Sequence, residues 1–328
     1  MSNSDFVSII ISNYNGKEHL RECLLSLMRL KYSSYEVIVV DAASNDGSPE
    51  MVEQEFPAVK LLRKEKIGIG EAINYGLMMA KGDLLVFDLN NDDVVDENWL
   101  GSLVDVISGS PDIGVVCGKR FSYGKHGILD SAGGKINFFT GETPVIGQNR
   151  MDSAEYNFQR EVDYFGVMLT TRDVLKKVGL CDPDYYIYHE DADFCLRVKR
   201  AGYKIVYVPS AVFWHKGSST VGKFSYNGYY YLSRTQIRFI LKNFPLRYMF
   251  FALSYCLVVK TGIDLLMAIS PLRKIAMFLF PRFSGYMYGK SNPQLIKAKK
   301  EAIIWNIKNI KKTIQARYHL AHLCSVCQ

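Results

Sequence analysis

The stretch Leu84-Leu85-Val86-Phe87-Asp88-Leu89-Asn90-Asn91-Asp92-Asp93 decides the fold of this chain. A mostly apolar run, typical of a buried strand in a parallel sheet, leads directly into carboxylates and amides. In α/β proteins, ligands bind outside the carboxyl ends of such strands. Taken alone, the stretch is better explained as a strand followed by an acidic turn and a helix cap. Whether this stretch is a turn or part of a binding site therefore depends on the residues at the ends of the other predicted strands.

Three further polar clusters follow apolar runs: residues 12–14, 41–46 and 190–193. Helical patterns lie between the runs, and strands alternating with helices predict an α/β fold with a mostly parallel sheet. Several acidic strand ends at one edge of a sheet would form a pocket. Residues 120–160 predict hairpins and loops near that pocket. The pattern also predicts helices over 96–108, with an acidic first turn, and over 194–201, followed by a short strand over 204–208 and another short apolar run over 212–215.

The charge of the chain is divided unevenly. Residues 221–328 contain 17 Lys and Arg but only two acids, Asp264 and Glu301, which leaves 23 basic against 31 acidic residues in 1–220. This predicts two regions with different tasks, an acidic domain over 1–220 and a basic, aromatic, α-helical region over 221–328 suited to an anionic membrane surface. Seven scattered cysteines favour a reducing compartment. The polar residues 1–5 do not resemble a signal peptide.

The C-terminal region predicts amphipathic helices. Residues 250–269 are long enough to span a bilayer, but Lys260 and Asp264 make a span costly. Residues 271–286 are too short, so both stretches are expected to lie in the membrane interface. A last helix over 293–323 carries a stripe of isoleucines for docking or for a homodimer, and lysines for anionic lipid. The stripe consists of Ile296, Ile303, Ile307, Ile310 and Ile314.

Two alternatives for the C-terminal region carry less weight. An ordinary solvated basic face explains the lysines of the last helix without any partner. Nucleic acid is not expected, since no recognisable nucleic-acid module accompanies the charge. A zinc site formed by His319, His322, Cys324 and Cys327 is permitted by spacing, but no turn glycines flank these residues at the chain end.

Residues 6–220 resemble inverting glycosyltransferases of family 2, which have the nucleotide-diphospho-sugar transferase fold (GT-A), and especially the rhamnosyltransferase-like branch. The order and spacing of five segments carry the resemblance: 7–15, 39–48, 89–92, 190–197 and 207–219. The resemblance implies metal-dependent transfer of a sugar from a UDP or dTDP donor to a hydroxyl of a membrane-held, polyprenyl-linked glycan. It also implies a peripheral enzyme on the cytoplasmic face of the cell membrane.

The resemblance implies a donor and metal site at the strand ends. Asp41 matches the acid that recognises the pyrimidine ring. The family's D-x-D motif falls on residues 90–92, where Asn90 replaces the first acid. Asp92 and His215 would therefore hold Mg²⁺ or Mn²⁺, with Asp88 and Asp93 as nearby alternatives. The donor-binding residues would be Ser12, Asn13, Tyr14, Asp41, Ser44, Asp46, Gly68, Asn74, Asn90 and Asn91.

Asp191 matches the family's general base, with Glu190 and Asp193 as competitors for that role. Gly166 and Trp214 are candidates beside the acceptor, although core packing is the better expectation for a tryptophan. Arg197 is expected to pair with an acid rather than to act in catalysis.

Two other functions remain to be weighed. A sugar-1-phosphate nucleotidyltransferase would need a Gly-rich loop with a basic residue after the first strand, and residues 12–17 read Ser-Asn-Tyr-Asn-Gly-Lys instead. A non-catalytic membrane-surface protein with a relic sugar-nucleotide fold is the second. The presence of Asp191 and His215 counts against it.

Overall fold

The computed structural model describes residues 5–217, 225–260, 262 and 293–325, and of residues 293 and 318–325 only the backbone. The strands are β1 (Val7–Asn13), β2 (Tyr35–Ala42), β3 (Lys60–Lys64), β4 (Leu84–Asn90), β5 (Asp93–Val95), β6 (Ile113–Ser122), β7 (Leu129–Ser131), β8 (Arg160–Glu161), β9 (Met168–Thr171) and β10 (Lys204–His215).

The helices are α1 (Lys17–Leu27), α2 (Ser48–Glu55), α3 (Ile69–Met79), α4 (Trp99–Ser108), α5 (Arg172–Val178), α6 (Glu190–Arg200), α7 (Tyr226–Asn243), α8 (Leu246–Ser254), α9 (Pro293–Lys308) and α10 (Ile310–Ser325). A π-helical turn, Tyr255–Val259, follows α8.

One sheet contains all ten described strands, in the order β3-β2-β1-β4-β9-β6-β10-β5, with β7 beside β6 and β8 beside β10. The pairs β3-β2, β2-β1 and β1-β4 are parallel, which confirms the predicted α/β architecture. Strand β9 runs antiparallel between β4 and β6, so the second half of the sheet is mixed. The apolar residues of β1 are fully buried at its centre, as expected for a strand covered on both faces.

Three predicted boundaries are wrong. Helix α4 begins at Trp99 and has no acid in its first turn, because Asp96 stays outside and its Oδ1 accepts a hydrogen bond from the Asn98 N–H (2.9 Å). Helix α6 begins at Glu190 rather than at residue 194, so the acidic cluster forms its first turn. The two predicted short runs at 204–208 and 212–215 form the single strand β10, with an irregular register between Val208 and Val212.

The chain divides into two compact units. One contains Met1–Ile136, Thr143–Thr220 and Leu323–Gln328, and the other contains Asn137–Glu142 and Val221–His322. Residues 137–142 were predicted as part of the first region but belong to the second unit. There, the Gly141 carbonyl accepts a hydrogen bond from Gln236 Nε2 (3.1 Å), and the ring of Phe138 lies 4.8 Å from that of Phe244.

Within the second unit, α9 packs on α7 by a face of small side chains. Leu295, Ala298, Ala302 and Asn306 are buried there, and Asn306 Nδ2 donates to the Arg234 carbonyl (3.0 Å). The predicted isoleucine stripe is therefore wrong as a docking face, since alanines let the helices approach more closely. The predicted last helix is also interrupted at Asn309.

The predicted helix over 271–286 and the side chains of the possible zinc ligands lie outside the described residues, and so does part of the predicted helix over 250–269. Residues 250–260 are helical, whereas 271–286 and most of 261–269 lie outside the described residues. The side chains of His319, His322, Cys324 and Cys327 lie outside them too. Among the helices that the structure does describe, none combines the length and the apolar character needed to cross a bilayer.

Candidate active site

A hydrogen-bonded network joins the ends of β1, β2 and β4. Asn13 Nδ2 donates to Asp41 Oδ2 (2.7 Å) and to Ser44 Oγ (3.2 Å), and Asn13 Oδ1 accepts from Asn91 Nδ2 (2.7 Å). Strand β1 lies between β2 and β4, so its last residue meets both neighbours. The structure therefore brings together four of the predicted donor-binding residues.

Gly16 makes room for this network. A Cβ atom on Gly16 would lie 2.2 Å from Asn91 Nδ2, so a side chain there would displace the Asn91 amide. Nearby, the buried Ser12 Oγ has no hydrogen-bond partner among the described residues. Such a group is costly unless something binds it.

Two further predicted donor-binding residues, Asp46 and Tyr14, make contacts outside this network. Asp46 accepts hydrogen bonds from the backbone N–H groups of Lys17 (2.9 Å) and Ser48 (3.0 Å), and thereby fixes the loop between β2 and α2. The Lys66 ammonium lies 5.1 Å from the centre of the Tyr14 ring.

Gly68 and Asn74 hold the segment that precedes α6. A Cβ atom on Gly68 would lie 2.7 Å from Tyr186 Cα, and the Ile69 N–H donates to the Tyr186 carbonyl (2.7 Å). Asn74 Nδ2 donates to the Cys181 carbonyl (2.8 Å), and Asn74 Oδ1 accepts from the Cys181 N–H (2.9 Å). Both atoms of the Asn74 amide are therefore bonded to the backbone of Cys181, and its role in donor binding stays a prediction.

Three predicted or alternative metal ligands converge at the end of β10. Strand β5 pairs antiparallel with β10 and places Asp93 opposite His215. Ligand atoms of Asp92, Asp93 and His215 all lie within 4.8 Å of one another, and His215 Nε2 is 3.5 Å from Asp92 Oδ2. Two carboxylates and an imidazole form a ligand set that suits Mn²⁺ or Mg²⁺.

Asp93 is the residue that most requires a cation. Its side chain is fully buried, and Oδ1 has no hydrogen-bond partner among the described residues. Oδ2 accepts a hydrogen bond from the Asn90 N–H (2.9 Å). Burial raises the pKa of Asp93 to about 6, against the opposing effect of His215. A buried acceptor of this kind fits a bound divalent ion.

His215 is held in place by two residues of β6 and β7. His215 Nδ1 lies 3.1 Å from Asp130 Oδ2, which in turn lies 2.7 Å from Arg120 Nε. Burial raises the pKa of Asp130, but the His215 hydrogen bond and the Arg120 charge outweigh it and lower that pKa to about 2. Burial lowers the pKa of His215, but the hydrogen bond to Asp130 contributes to a net rise. In the neutral form that binds metals, an ionised Asp130 would keep the imidazole proton on Nδ1 and direct Nε2 towards Asp92 and a metal.

A second group of carboxyls surrounds the predicted base. β4 bulges at Asp88, which has a left-handed backbone (φ 62°) and a buried side chain. Burial, and then the Glu190 and Asp191 charges, raise the pKa of Asp88 well above its ordinary value. Burial, and then Asp191, raise the pKa of Glu190 to about 8. Glu190 Oε2 is also buried without a hydrogen-bond partner among the described residues.

Asp191 is the half-buried member of this group. Its Oδ1 accepts a hydrogen bond from the Ala192 N–H (2.7 Å). Burial raises the pKa of Asp191, while that hydrogen bond and the Arg120 charge oppose the rise. The turn that delivers it is strained, because Tyr186, Tyr188 and His189 all have positive φ. Backbone strain of this kind is concentrated at functional sites.

The remaining candidates play different parts. Asp193 is fully buried and bonds Tyr185 Oη (3.1 Å) and Arg197 Nε (3.1 Å), so it stabilises the fold. Arg197 also donates to the Leu180 carbonyl (2.9 Å), which confirms its predicted structural role. A Cβ atom on Gly166 would lie 3.5 Å from Asp88 Oδ2, so Gly166 lies next to the Asp88 carboxylate.

Trp214 and Trp99 both pack against phenylalanine rings. Trp214 stacks with Phe121 at 6.4 Å, and the alternation of side chains along β10 turns it away from His215. Trp99 is fully buried, and its ring centre lies 6.1 Å from that of Phe213, so it belongs to the core.

Arg120 and Asp130 were missed by the sequence analysis. Asp130 alternates with the buried residues Leu129 and Ser131, a three-residue strand pattern inside a stretch that otherwise looks like loops. That alternation is the only signal the sequence carries. Arg120 lies near both groups of residues: its Nε is 2.7 Å from Asp130 Oδ2, and a Cβ atom on Gly166 would lie 3.8 Å from Arg120 Nη1 and 3.5 Å from Asp88 Oδ2.

Known proteins share this fold. The structure of GalNAc-T7 with UDP, GalNAc and Mn²⁺ aligns with a TM-score of 0.55 and 21% identity, covering 72% of this chain and 51% of that one. The mannosyltransferase PcManGT from Pyrobaculum calidifontis, in complex with GDP-Man and Mn²⁺, aligns with a TM-score of 0.54 and 17% identity, covering 99% and 87%. These likenesses confirm the predicted GT-A fold.

Sequence relatives agree with the structures. Glycosyltransferase AglE of Haloferax volcanii is 30% identical over 217 residues, which cover 64% of this chain and 66% of AglE. The N-acetylglucosaminyl-diphospho-decaprenol L-rhamnosyltransferase of Mycobacterium tuberculosis is 27% identical over 248 residues, covering 66% and 78%. Glycosyltransferase GlyG of Streptococcus pneumoniae is 30% identical over 140 residues. The matches span 66% of AglE and 44% of GlyG, less than two thirds of either.

The family model named Glycosyl transferase family 2 matches residues 8–179, just over half of the 328 residues. The matched region contains the ends of β1, β2 and β4, where the network of Asn13, Asp41 and Asn91 lies. On this match, the chain belongs to Glycosyl transferase family 2.

Proposed function

We propose that this chain is an inverting glycosyltransferase that moves a sugar from a UDP or dTDP donor to a hydroxyl of a polyprenyl-linked glycan. The observation that supports the proposal is that Asn91 and Asp92, which are neighbours in the chain, belong to two different polar clusters. Asn91 belongs to the hydrogen-bonded network of Asn13 and Asp41, while Asp92 belongs to the cluster with His215. A nucleoside group and a metal-bound diphosphate would then occupy adjacent positions along one sheet edge.

Each group of site residues would have its own role in the reaction. Asp41 and Ser44 would bind the pyrimidine nucleoside, and Asp92, Asp93 and His215 would hold Mg²⁺ or Mn²⁺. A divalent cation there would neutralise the negative charge of the leaving nucleoside diphosphate. Asp130 would keep His215 oriented throughout.

Asp191 would act as the general base. It would take the proton of the acceptor hydroxyl as that oxygen attacks the anomeric carbon from the face opposite the diphosphate. The bond between that carbon and the diphosphate oxygen breaks, and the sugar configuration inverts. With a pKa of about 8, Glu190 holds its proton at neutral pH, which favours Asp191 over Glu190 as the base.

The acceptor and location rest on chemistry and on one relative. The name of the mycobacterial relative specifies a decaprenol-linked acceptor and an L-rhamnosyl group. A polyprenyl-linked acceptor is held in a membrane, and the basic region 221–328 would keep the enzyme at an anionic surface. We place this peripheral enzyme on the cytoplasmic face of the cell membrane.

A donor panel tests the proposal. UDP-sugars and dTDP-sugars are incubated with the full chain, a polyprenyl-diphosphate-linked N-acetylglucosamine, and Mn²⁺ or EDTA. We expect release of UDP or dTDP that requires both acceptor and Mn²⁺. Pyrophosphate production from nucleotide triphosphate and a sugar phosphate would instead show a nucleotidyltransferase. Donor binding without any turnover would show a non-catalytic protein.

A further inference from the structure

The second unit exposes an apolar face along α8 and the π-helical turn after it. Leu246 and Phe250 are each 70% exposed and Val258 is 69% exposed, and Phe251 is exposed beside them. Phe139 joins this set, because its ring lies 6.2 Å from that of Phe251. We refer to these five residues as the apolar face. Apolar side chains clustered in water usually mark a binding surface.

The apolar face is distinct from the core of the unit. Ala252 and Cys256 are buried on the opposite side of the helical segment, and a Cβ atom on Gly141 would lie 2.4 Å from Ile240 Cδ1 and 3.6 Å from Ala252 Cβ. Leu246 and Phe250 are four residues apart and therefore share one side of α8. The unit thus has a formed core and a second apolar side that this core does not use.

Helix α9 exposes a different combination on the side away from α7. Ile296, Ile304 and Ile307 are exposed there, in alternation with the exposed Lys300 and Lys308. At 100° per residue, these five positions lie on the side opposite the buried alanines. Isoleucines interleaved with lysines suit a membrane interface, where an apolar side chain enters the acyl boundary and a lysine stem keeps its ammonium at the head groups.

The charge of the region selects the chemistry of the partner. Residues 221–328 contain 17 basic residues and two acids. Arg247, exposed between Leu246 and Tyr248, adds a cation at the edge of the apolar face and lies 4.7 Å from the Tyr248 ring. A partner for these surfaces must accept apolar side chains and carry negative charge, and a bilayer of anionic phospholipid does both.

We propose that the second unit docks on an anionic phospholipid bilayer, inserting the apolar face and directing the α9 lysines to lipid phosphates. This deepens the proposed function, because it names the surface that would bring the enzyme to a lipid-linked acceptor. Docking needs neither donor nor acceptor. A failure of docking is therefore distinguishable from a failure of the transferase proposal, which the nucleotide-release assay measures with a detergent-solubilised acceptor.

Vesicle flotation of the full chain tests the docking. Vesicles contain phosphatidylcholine alone or a 3:1 mixture with phosphatidylglycerol, at 0.1 M salt. We expect binding to the anionic vesicles. The double variant Leu246→Glu/Phe250→Glu should weaken it at least about a hundredfold, since two apolar side chains no longer insert. Lys300→Gln/Lys308→Gln should weaken it about 25-fold, about fivefold for each lysine.

Phe158→Glu is the matched control for the apolar face. It changes an exposed phenylalanine of the first unit and should leave vesicle binding unchanged. All four substituted side chains of the test variants are exposed, so melting temperatures should match the wild type. Equal loss in the control would overturn the proposal, as would absence of wild-type binding to anionic vesicles. Unchanged vesicle binding by Leu246→Glu/Phe250→Glu, with loss of a dimer in sedimentation equilibrium, would assign the apolar face to a second copy instead.

Discussion

Replacing Glu190 with glutamine should change how the stability of the protein depends on pH. Glu190 is buried at the start of α6, and burial and Asp191 raise its pKa from 4.5 to about 8. The folded protein therefore keeps a proton that the unfolded chain releases above pH 4.5. Stability contributed by this position falls as pH rises from about 4.5 to about 8. Glutamine, which resembles the protonated acid and does not ionise, removes that fall.

The size of the effect follows from the two pKa values. The difference between 4.5 and about 8 corresponds to a loss of about 5 kcal/mol of unfolding free energy, at 1.36 kcal/mol per pH unit. This is an upper bound, because Asp88 and Asp191 share the same buried environment. About 1 kcal/mol moves the melting temperature of a domain this size by roughly 2–4 °C.

Melting temperatures of wild type and Glu190→Gln between pH 5 and pH 9 provide the assay. The variant should melt close to the wild type at pH 5 and several degrees above it at pH 8. The matched control is Glu65→Gln, which changes an exposed glutamate and should follow the wild type at every pH. A wild-type to variant difference that stays constant from pH 5 to pH 9 would refute the argument from burial.

Three other substitutions test separate parts of the structure. Gly16→Ala should displace the Asn91 amide, 2.2 Å from the new Cβ, and weaken nucleoside diphosphate binding roughly five- to tenfold in calorimetry; unchanged affinity would contradict this. Asp130→Asn should lower Mn²⁺ affinity about 10- to 100-fold, measured by electron paramagnetic resonance with bound nucleoside diphosphate. An unaltered Mn²⁺ affinity would exclude the orienting role. Arg197→Met removes the guanidinium that pairs with the buried Asp193 and should lower stability by about 3–5 kcal/mol in urea unfolding. A loss below about 1 kcal/mol would show that the pair is dispensable.

The architecture could be predicted because its signals are local. The apolar runs that become β1, β2 and β4 end in polar clusters, and parallel pairing brings those ends to one edge. Asp92 and His215 were predicted as partners through the family resemblance, and they do lie together. Strand β5 was not predicted, since three residues are too few to show a period, yet it brings Asp93 to His215.

The residues that orient His215 could not be predicted for a different reason. Asp130 lies 85 positions away in the chain and reaches His215 because β7 and β10 both pair with β6. Those pairings contain register irregularities, which no periodicity in the sequence encodes. The contact between Asp130 and His215 therefore depends on long-range strand pairing, which local sequence patterns do not reveal.

The isoleucines of α9 show the limit of apolar spacing as a signal. Their spacing fits a docking stripe, but Ile296 and Ile307 are 46% and 66% exposed. The helix packs by Ala298 and Ala302 instead, whose small size permits close approach to α7. Apolar periodicity identified an amphipathic helix without telling which side faces the protein.

Asp191→Asn provides the most direct test of the proposed transferase. Single-turnover transfer from the active donor to the polyprenyl-linked acceptor is measured beside equilibrium donor binding. The account predicts a rate lowered at least about 100-fold, with donor affinity and Mn²⁺ affinity within about twofold of the wild type. Transfer at the wild-type rate by Asp191→Asn would contradict the assignment of the base and, with it, the central claim about this site.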